Sequence, residues 1–158
     1  MDRRPQARKT RPPKTLRADA QAMVETCPAW NSRLAARRIS LFLDHALAET
    51  GMTAAQLGLM AEIAAAEDDT LGALARLTGL EQSTLSRNLR TLETEGLVEI
   101  ATVERDQRRR AVWLTEAGAR RLEAAVPVWR KAQAKLPRQL TSGIPRRLAA
   151  AALALPNT

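Results

Sequence analysis

Between Gln82 and Arg90, every side chain other than leucine can hydrogen-bond to a nucleic acid. Leu85, Leu89 and Leu92 recur at i, i+4 and i+7, the signature of one buried face on a helix over residues 81–95. Gln82, Ser83, Thr84, Ser86, Arg87, Asn88 and Arg90 fall between them, suited to phosphate oxygens or to the acceptor edges of bases. The acidic Glu81 stands at the helix entry. Further along, Arg105, Asp106, Arg108, Arg109 and Arg110 crowd the turn of a predicted hairpin. A polar, basic helix beside a basic ribbon is how a small domain fills one DNA groove and reaches the next.

The flanking residues predict the elements that would position this surface. Thr70 to Leu77 reads as a short helix, with Thr78-Gly79 making the turn before the polar helix, and Gly96 is placed to end that helix. Residues 97–100 and 111–114 read as two short strands. Thr115 is a good N-cap for a long helix, with Glu116 in its first turn. The order of elements is that of a winged helix-turn-helix: a mainly α fold with a small β-hairpin wing.

Upstream, Trp30 to about Thr50 has a helical pattern ended by Gly51, and its apolar residues wrap more than one face. Thr53-Ala54-Ala55-Gln56 spells a capping box, opening a helix to about Ala66. Downstream, Leu122, Val126, Trp129, Leu136 and Leu140 keep helical spacing, with a kink expected at Pro127 and a second at Pro137. Ile144, Leu148, Ala151 and Leu155 continue it after Thr141-Ser142-Gly143. Together the end helices carry more apolar surface than one chain of this length would bury. The predicted division is a basic, disordered tail over 1–25 and a single domain over 26–158. Within that domain, 26–52 and 119–158 are N- and C-terminal dimerisation helices around a winged helix-turn-helix at 53–118.

Composition narrows the functional classes. The 158 residues carry a formal charge of +8, with a pI near 11.1, which points to a nucleic-acid partner. Most of that charge lies in Arg3, Arg4, Arg8, Lys9, Arg11, Lys14 and Arg17, so local clustering in the body matters more than the total. There Arg76, Arg87, Arg90 and the hairpin arginines are offset by acidic residues elsewhere, among them Glu62, Glu67, Asp68 and Asp69. The lone cysteine, Cys27, excludes an internal disulfide framework. With His45 the only histidine, no metal centre and no cofactor are expected. No apolar run approaches the ~18 residues that span a bilayer, so no membrane role is expected. Paired loop carboxylates, a nucleophile–base pair and a glycine-rich phosphate loop are all missing, so no enzyme is expected.

Three pieces of the sequence resemble the MarR family of bacterial transcription regulators, over about residues 30–155. They are Ser83-Thr84-Leu85-Ser86-Arg87-Asn88-Leu89 with Leu92-Glu93 and Gly96-Leu97-Val98, then Arg105-Asp106-Gln107-Arg108, then Leu114-Thr115-Glu116-Ala117-Gly118. The second is similar to the family's Asp-x-Arg wing signature. The resemblance implies a homodimer whose first and last helices interlock, and DNA binding by two winged lobes. It also implies a repressor released by a small-molecule effector. Two-fold symmetry would make the double-stranded DNA site a pseudo-palindromic operator. The site residues expected to contact DNA are Gln82, Ser83, Thr84, Ser86, Arg87, Asn88, Arg90, Arg105, Arg108 and Arg109, with Asp106 orienting a wing arginine. Ser83 and Thr84 could instead cap their helix.

The family's effector pocket lies between the dimer helices and the DNA-binding lobe, which makes Trp30, Arg37 and His45 the pocket candidates. The expected location is the bacterial cytoplasm, at the nucleoid through DNA binding. Some family members sense peroxide through a cysteine near the first helix, aided by tyrosines. This chain has no tyrosine, and Pro28 follows Cys27, so Cys27 is read as structural. Two alternatives stay open: a redox-responsive regulator acting through Cys27, and a non-specific basic nucleic-acid-binding protein driven by the tail.

Overall fold

The structure, a computed structural model, describes residues 14–103, 106–141 and 143–155, and for 103 and 106–109 only the backbone. Helix α1 is Lys14–Thr26 and α2 is Pro28–Leu47, followed by a short 3-10 turn at Ala48–Thr50. Next come α3 (Ala54–Ala65), α4 (Leu71–Thr78), α5 (Gln82–Thr94), β1 (Val98–Val103) and β2 (Asp106–Leu114). The chain closes with α6 (Glu116–Gln133), α7 (Arg138–Thr141) and α8 (Ile144–Leu153). It divides into two compact units at Ile39/Ser40, inside α2.

In the first unit, α1 takes the place of the second part of the tail expected over 1–25, from Lys14 on; residues 1–13 of that tail lie outside the described residues. No proline interrupts Lys14–Thr26, and its alanines, leucine, glutamine and methionine are good helix formers. The Asn31 amide closes its C-terminal end by donating to the carbonyls of Val24, Glu25 and Cys27 at 3.0–3.2 Å. Helix α1 has no buried residue, so no pattern of burial marks it in the sequence.

The second unit is built on one apolar core. Leu47, Met52, Leu57, Met60, Ile63, Leu74, Leu85, Leu89 and Leu92 from successive helices meet Leu97, Val98 and Val112 of the hairpin. The capping box forms as spelled: Thr53 accepts from the Gln56 N–H while the Gln56 side chain accepts from the Thr53 N–H. Asp44 of α2 accepts from the Ala54 N–H at 2.6 Å, fixing the start of α3.

Helix α5 ends in a Schellman turn: Gly96 takes φ +70, its N–H reaches the Glu93 carbonyl, and the Leu97 N–H reaches that of Leu92. The chain therefore leaves the helix directly into β1. Strands β1 and β2 pair antiparallel from Val98↔Leu114 to Thr102↔Arg110, with a register shift before Val103↔Asp106. Both strands are longer than expected, because their backbones continue to pair beyond the apolar core. The segment before α4 also joins the hairpin, through a Thr70↔Ala111 bridge and a 2.8 Å bond from the Val112 N–H to the Asp69 carbonyl.

Helix α6 runs to Gln133 with Pro127 inside it and ends before Pro137, where a second kink was expected. The residues it buries within the chain are Gly118, Ala125 and Ala132, seven apart, while the bulky stripe was expected to meet a partner chain. Of that stripe, Leu122 packs against the core of its own unit, while Trp129 stays 36% exposed. The small residues admit close approach. A Cβ on Gly118 would lie 1.9 Å from the Leu97 carbonyl oxygen, in a junction that Thr115 also ties. Its hydroxyl donates to the Gly96 carbonyl at 2.7 Å and accepts from the Gly118 N–H at 3.0 Å.

The obstacle to a methyl group at 118 is backbone, which cannot swing aside. Gly118→Ala is expected to cost about 1–3 kcal/mol, read as a lower urea midpoint at unchanged slope. An unchanged midpoint would show that hairpin and α6 are not coupled at this contact.

Candidate nucleic-acid interface

Burial decides how α5 is rolled. Leu85 is 1% exposed and Leu89 and Leu92 are 0%, so the opposite face must look outward. Gln82, Ser83, Ser86, Arg87 and Arg90 are exposed on it, with Thr84 and Asn88 half-buried. The N-cap position is Glu81, whose side chain makes no cap bond. Ser83 and Thr84 therefore sit inside the helix, away from the capping position.

Two open clefts flank this helix. One, of about 600 Å³, lies among α4, α5 and β2, and Gly72, Arg76, Gln82, Ser86 and Arg110 are in its lining, as is Asp68. The other, of about 400 Å³, lies between α5 and the hairpin and is lined by Ser83, Ser86, Arg87, Arg90, Glu93 and Arg110 among others. Four guanidinium groups thus gather on one side of the unit, against the carboxylates of Asp68 and Glu93. Asp68 was expected away from this surface; the Asp69–β2 pairing draws its segment up to it.

Among the expected wing contacts, Arg105 lies outside the described residues, as do the side chains of Asp106, Arg108 and Arg109. Arg110, which lines both clefts, was counted in the basic cluster but not among the site residues. Its signal in the sequence was strand parity: it shares its strand face with Val112 and Leu114. Of the effector-pocket candidates, Trp30 and Arg37 are exposed residues of the first unit. His45 is exposed in the second and is not in the lining of its apolar cleft. That cleft, of about 310 Å³, is formed by Leu43 of α2, Ala54, Leu57, Gly58, Ala61 and Glu62 of α3, and Leu122, Val126 and Trp129 of α6. Cys27 is half-buried between α1 and α2. Among the described residues there is no acidic, histidine and cysteine cluster able to hold a metal ion, and no helix long and apolar enough to cross a membrane.

The MarR family model matches residues 50–109, the segment that spans α3 to the hairpin. A crystal structure of the M. tuberculosis transcriptional regulator MosR in complex with DNA is 32% identical, with a TM-score of 0.68, over 82% of this chain and 99% of that one. The chain belongs to the MarR family. An S. aureus MepR–DNA complex shares the fold at 20% identity and a TM-score of 0.66, over 81% of this chain and 98% of that one. A mutant E. coli MarR complexed with operator DNA does so at 21% and 0.66, over 82% and 96%. No curated protein sequence matches. As a family member the chain is a DNA-binding transcription regulator of winged-helix fold and not an enzyme.

The two faces of α5 should respond oppositely to truncation. Leu89→Ala, at a fully buried position, is expected to cost about 2–5 kcal/mol of stability. Arg87→Ala, on the exposed face, should stay within about 0.5 kcal/mol of the parent. Denaturant titration of both variants checks this, and equal losses would mean that Arg87 is part of the packing.

Proposed function

We propose that this chain is a homodimeric repressor that reads a pseudo-palindromic operator through α5 and is released by a small molecule in the cytoplasm. The observation that carries the reading is the outward face of α5. It presents Gln82, Ser83, Ser86, Arg87 and Arg90 between two clefts edged by Arg76 and Arg110. Arg87 and Asn88 supply the fork and amide that suit guanine and adenine edges in a major groove. Arg108 suits the narrow minor groove beside it. The 32%-identical MosR was crystallised with DNA, which supports the same partner here.

Exposed apolar surface supports the dimer. Helix α8 has no buried residue, and Ile144, Leu148, Leu153 and Leu155 are 45–69% exposed. Trp30, Leu34, Leu41 and Phe42 on α2 are also open. Scattered exposed leucines need no explanation, but rows of them along the end helices do. The ~310 Å³ apolar cleft, with Glu62 as its charged lining residue, suits a small, mostly apolar effector.

Selection from a random DNA pool tests the reading. A two-fold symmetric consensus with half-sites about one helical turn apart is expected, and an unsymmetric or featureless pool would overturn it. On the selected duplex, Arg87→Ala should cost about 1–3 kcal/mol and relax preference at one position of each half-site. Equal weakening on random DNA would make Arg87 a phosphate contact instead. An interface of about 2,000–5,000 Å² is expected of such a dimer, and sedimentation should find the dimer mass; a folded monomer at micromolar concentration would contradict it.

A further inference from the structure

We infer that Arg110, on the straight part of β2 rather than at the wing tip, is a DNA-phosphate contact that works with Arg76 of α4 to fix how deep and at what angle α5 enters the groove. The inference rests on the DNA-binding reading above and adds to it two residues and their task.

Strand parity places Arg110. The hairpin rungs Val98/Leu114, Ile100/Val112 and Thr102/Arg110 alternate with Glu99/Trp113 and Ala101/Ala111. The first set is the core-facing row: Val98 and Val112 are 2% and 3% exposed, and Ile100 and Leu114 pack against the core. Arg110 continues that row one rung past the point where the helices cover it. Its side chain therefore leans toward α4 and α5, which is why it lines both clefts instead of facing water on the other side of the ribbon. Arg110 is exposed there, so its charge keeps its solvation while its stem follows the core-facing row.

Its rung is also the last regular one, since the register shift falls between Thr102 and Val103. The strand beneath is clamped from the opposite side by the Thr70↔Ala111 bridge. The backbone that carries Arg110 is thereby fixed relative to α5, to which the hairpin packs.

Arg76 completes the pair. Gly72 has no Cβ, and the Arg76 guanidinium occupies the adjacent space, with Nη1 3.7 Å from where that Cβ would stand. Arg76 and Arg110 share one cleft with the polar side chains of Gln82 and Ser86. Two forked cations on two different elements, in one cleft beside the reading helix, outnumber the single carboxylate of Asp68 there and fit a phosphodiester strand crossing the cleft mouth. Contacts of this kind set register and carry no base preference.

The test is the salt dependence of binding to the selected operator and to a random duplex of equal length, with variants checked for folding by circular dichroism. Arg110→Gln should weaken both duplexes by about the same factor and flatten the slope of log affinity against log salt by about one unit per protomer. Arg110→Lys, which keeps the charge, should retain the wild-type slope. An unchanged slope for Arg110→Gln, or a loss confined to the operator, overturns the inference. If Arg110→Gln does not fold, Arg76→Gln and Arg110→Lys decide it: a flattened slope in the first and a retained slope in the second support the pair, and any other pattern overturns it. Wild type on the same two duplexes reports separately on the underlying reading. A protein without operator preference would refute sequence-specific recognition while leaving the phosphate contacts to be judged by slope.

Discussion

The roll of α5 about its own axis is the constraint on which the polar surface depends. Burying a leucine side chain is worth about 1.5–3 kcal/mol, and Leu85, Leu89 and Leu92 are all buried to within 1%. Turning the helix by one residue would drive Ser86, Arg90 and Glu93 toward the core and expose the leucines. Buried unpaired charge is costly enough to forbid that. The same three leucines that hold the domain together therefore aim Arg87 and its neighbours outward. Stability and the candidate site are two consequences of one packing choice.

The hairpin inherits its position from the end of that helix. Gly96 turns the chain, the Leu97 carbonyl accepts from the Thr115 N–H at 3.1 Å, and the Thr115 hydroxyl reaches the Gly96 carbonyl. Gly118 lets α6 close on the same carbonyl without a clash. This knot joins α5, both strands and α6 within a few residues. The rung bearing Arg110 is thus set relative to α5 by hydrogen bonds rather than by a free loop. The opposite clamp, from Asp69 and Thr70 onto β2, ties in the start of α4. It brings Asp68 alongside the arginines, where its negative charge limits how strongly that cleft attracts anions.

Local signals in the chain were legible wherever one residue type has one strong reason to be there. Thr53 with Gln56, Thr70, Gly96 and Thr115 each marked a helix end, and the backbone bonds they make are short-range. The period of the leucines identified α5 and its outward face for the same reason. Helix α1 escaped because no residue of it is buried within the chain, and the amide that caps it belongs to Asn31, in the next helix. On α6 the row that closes on the rest of the chain is Gly118, Ala125 and Ala132, small residues that admit close approach; spacing does not single them out, since the bulky stripe repeats with helical period as well.

The sequence by itself determined the order of elements from α3 to α6, the buried face of α5 and the family to which the chain belongs. Each of these follows from patterns a few residues long, where backbone geometry leaves few choices. The tertiary structure decided which charged groups meet. Asp68 and Arg76 lie close together, before and on α4, whereas Arg110 is far along the chain on β2, and the pairing of β2 with the Asp69–Thr70 segment brings the three into one cleft. It also decided that α6 approaches through glycine and alanine and that an apolar cleft opens between α2, α3 and α6. Spacing along a chain fixes direction on one element, whereas a site between elements depends on distances that only packing sets.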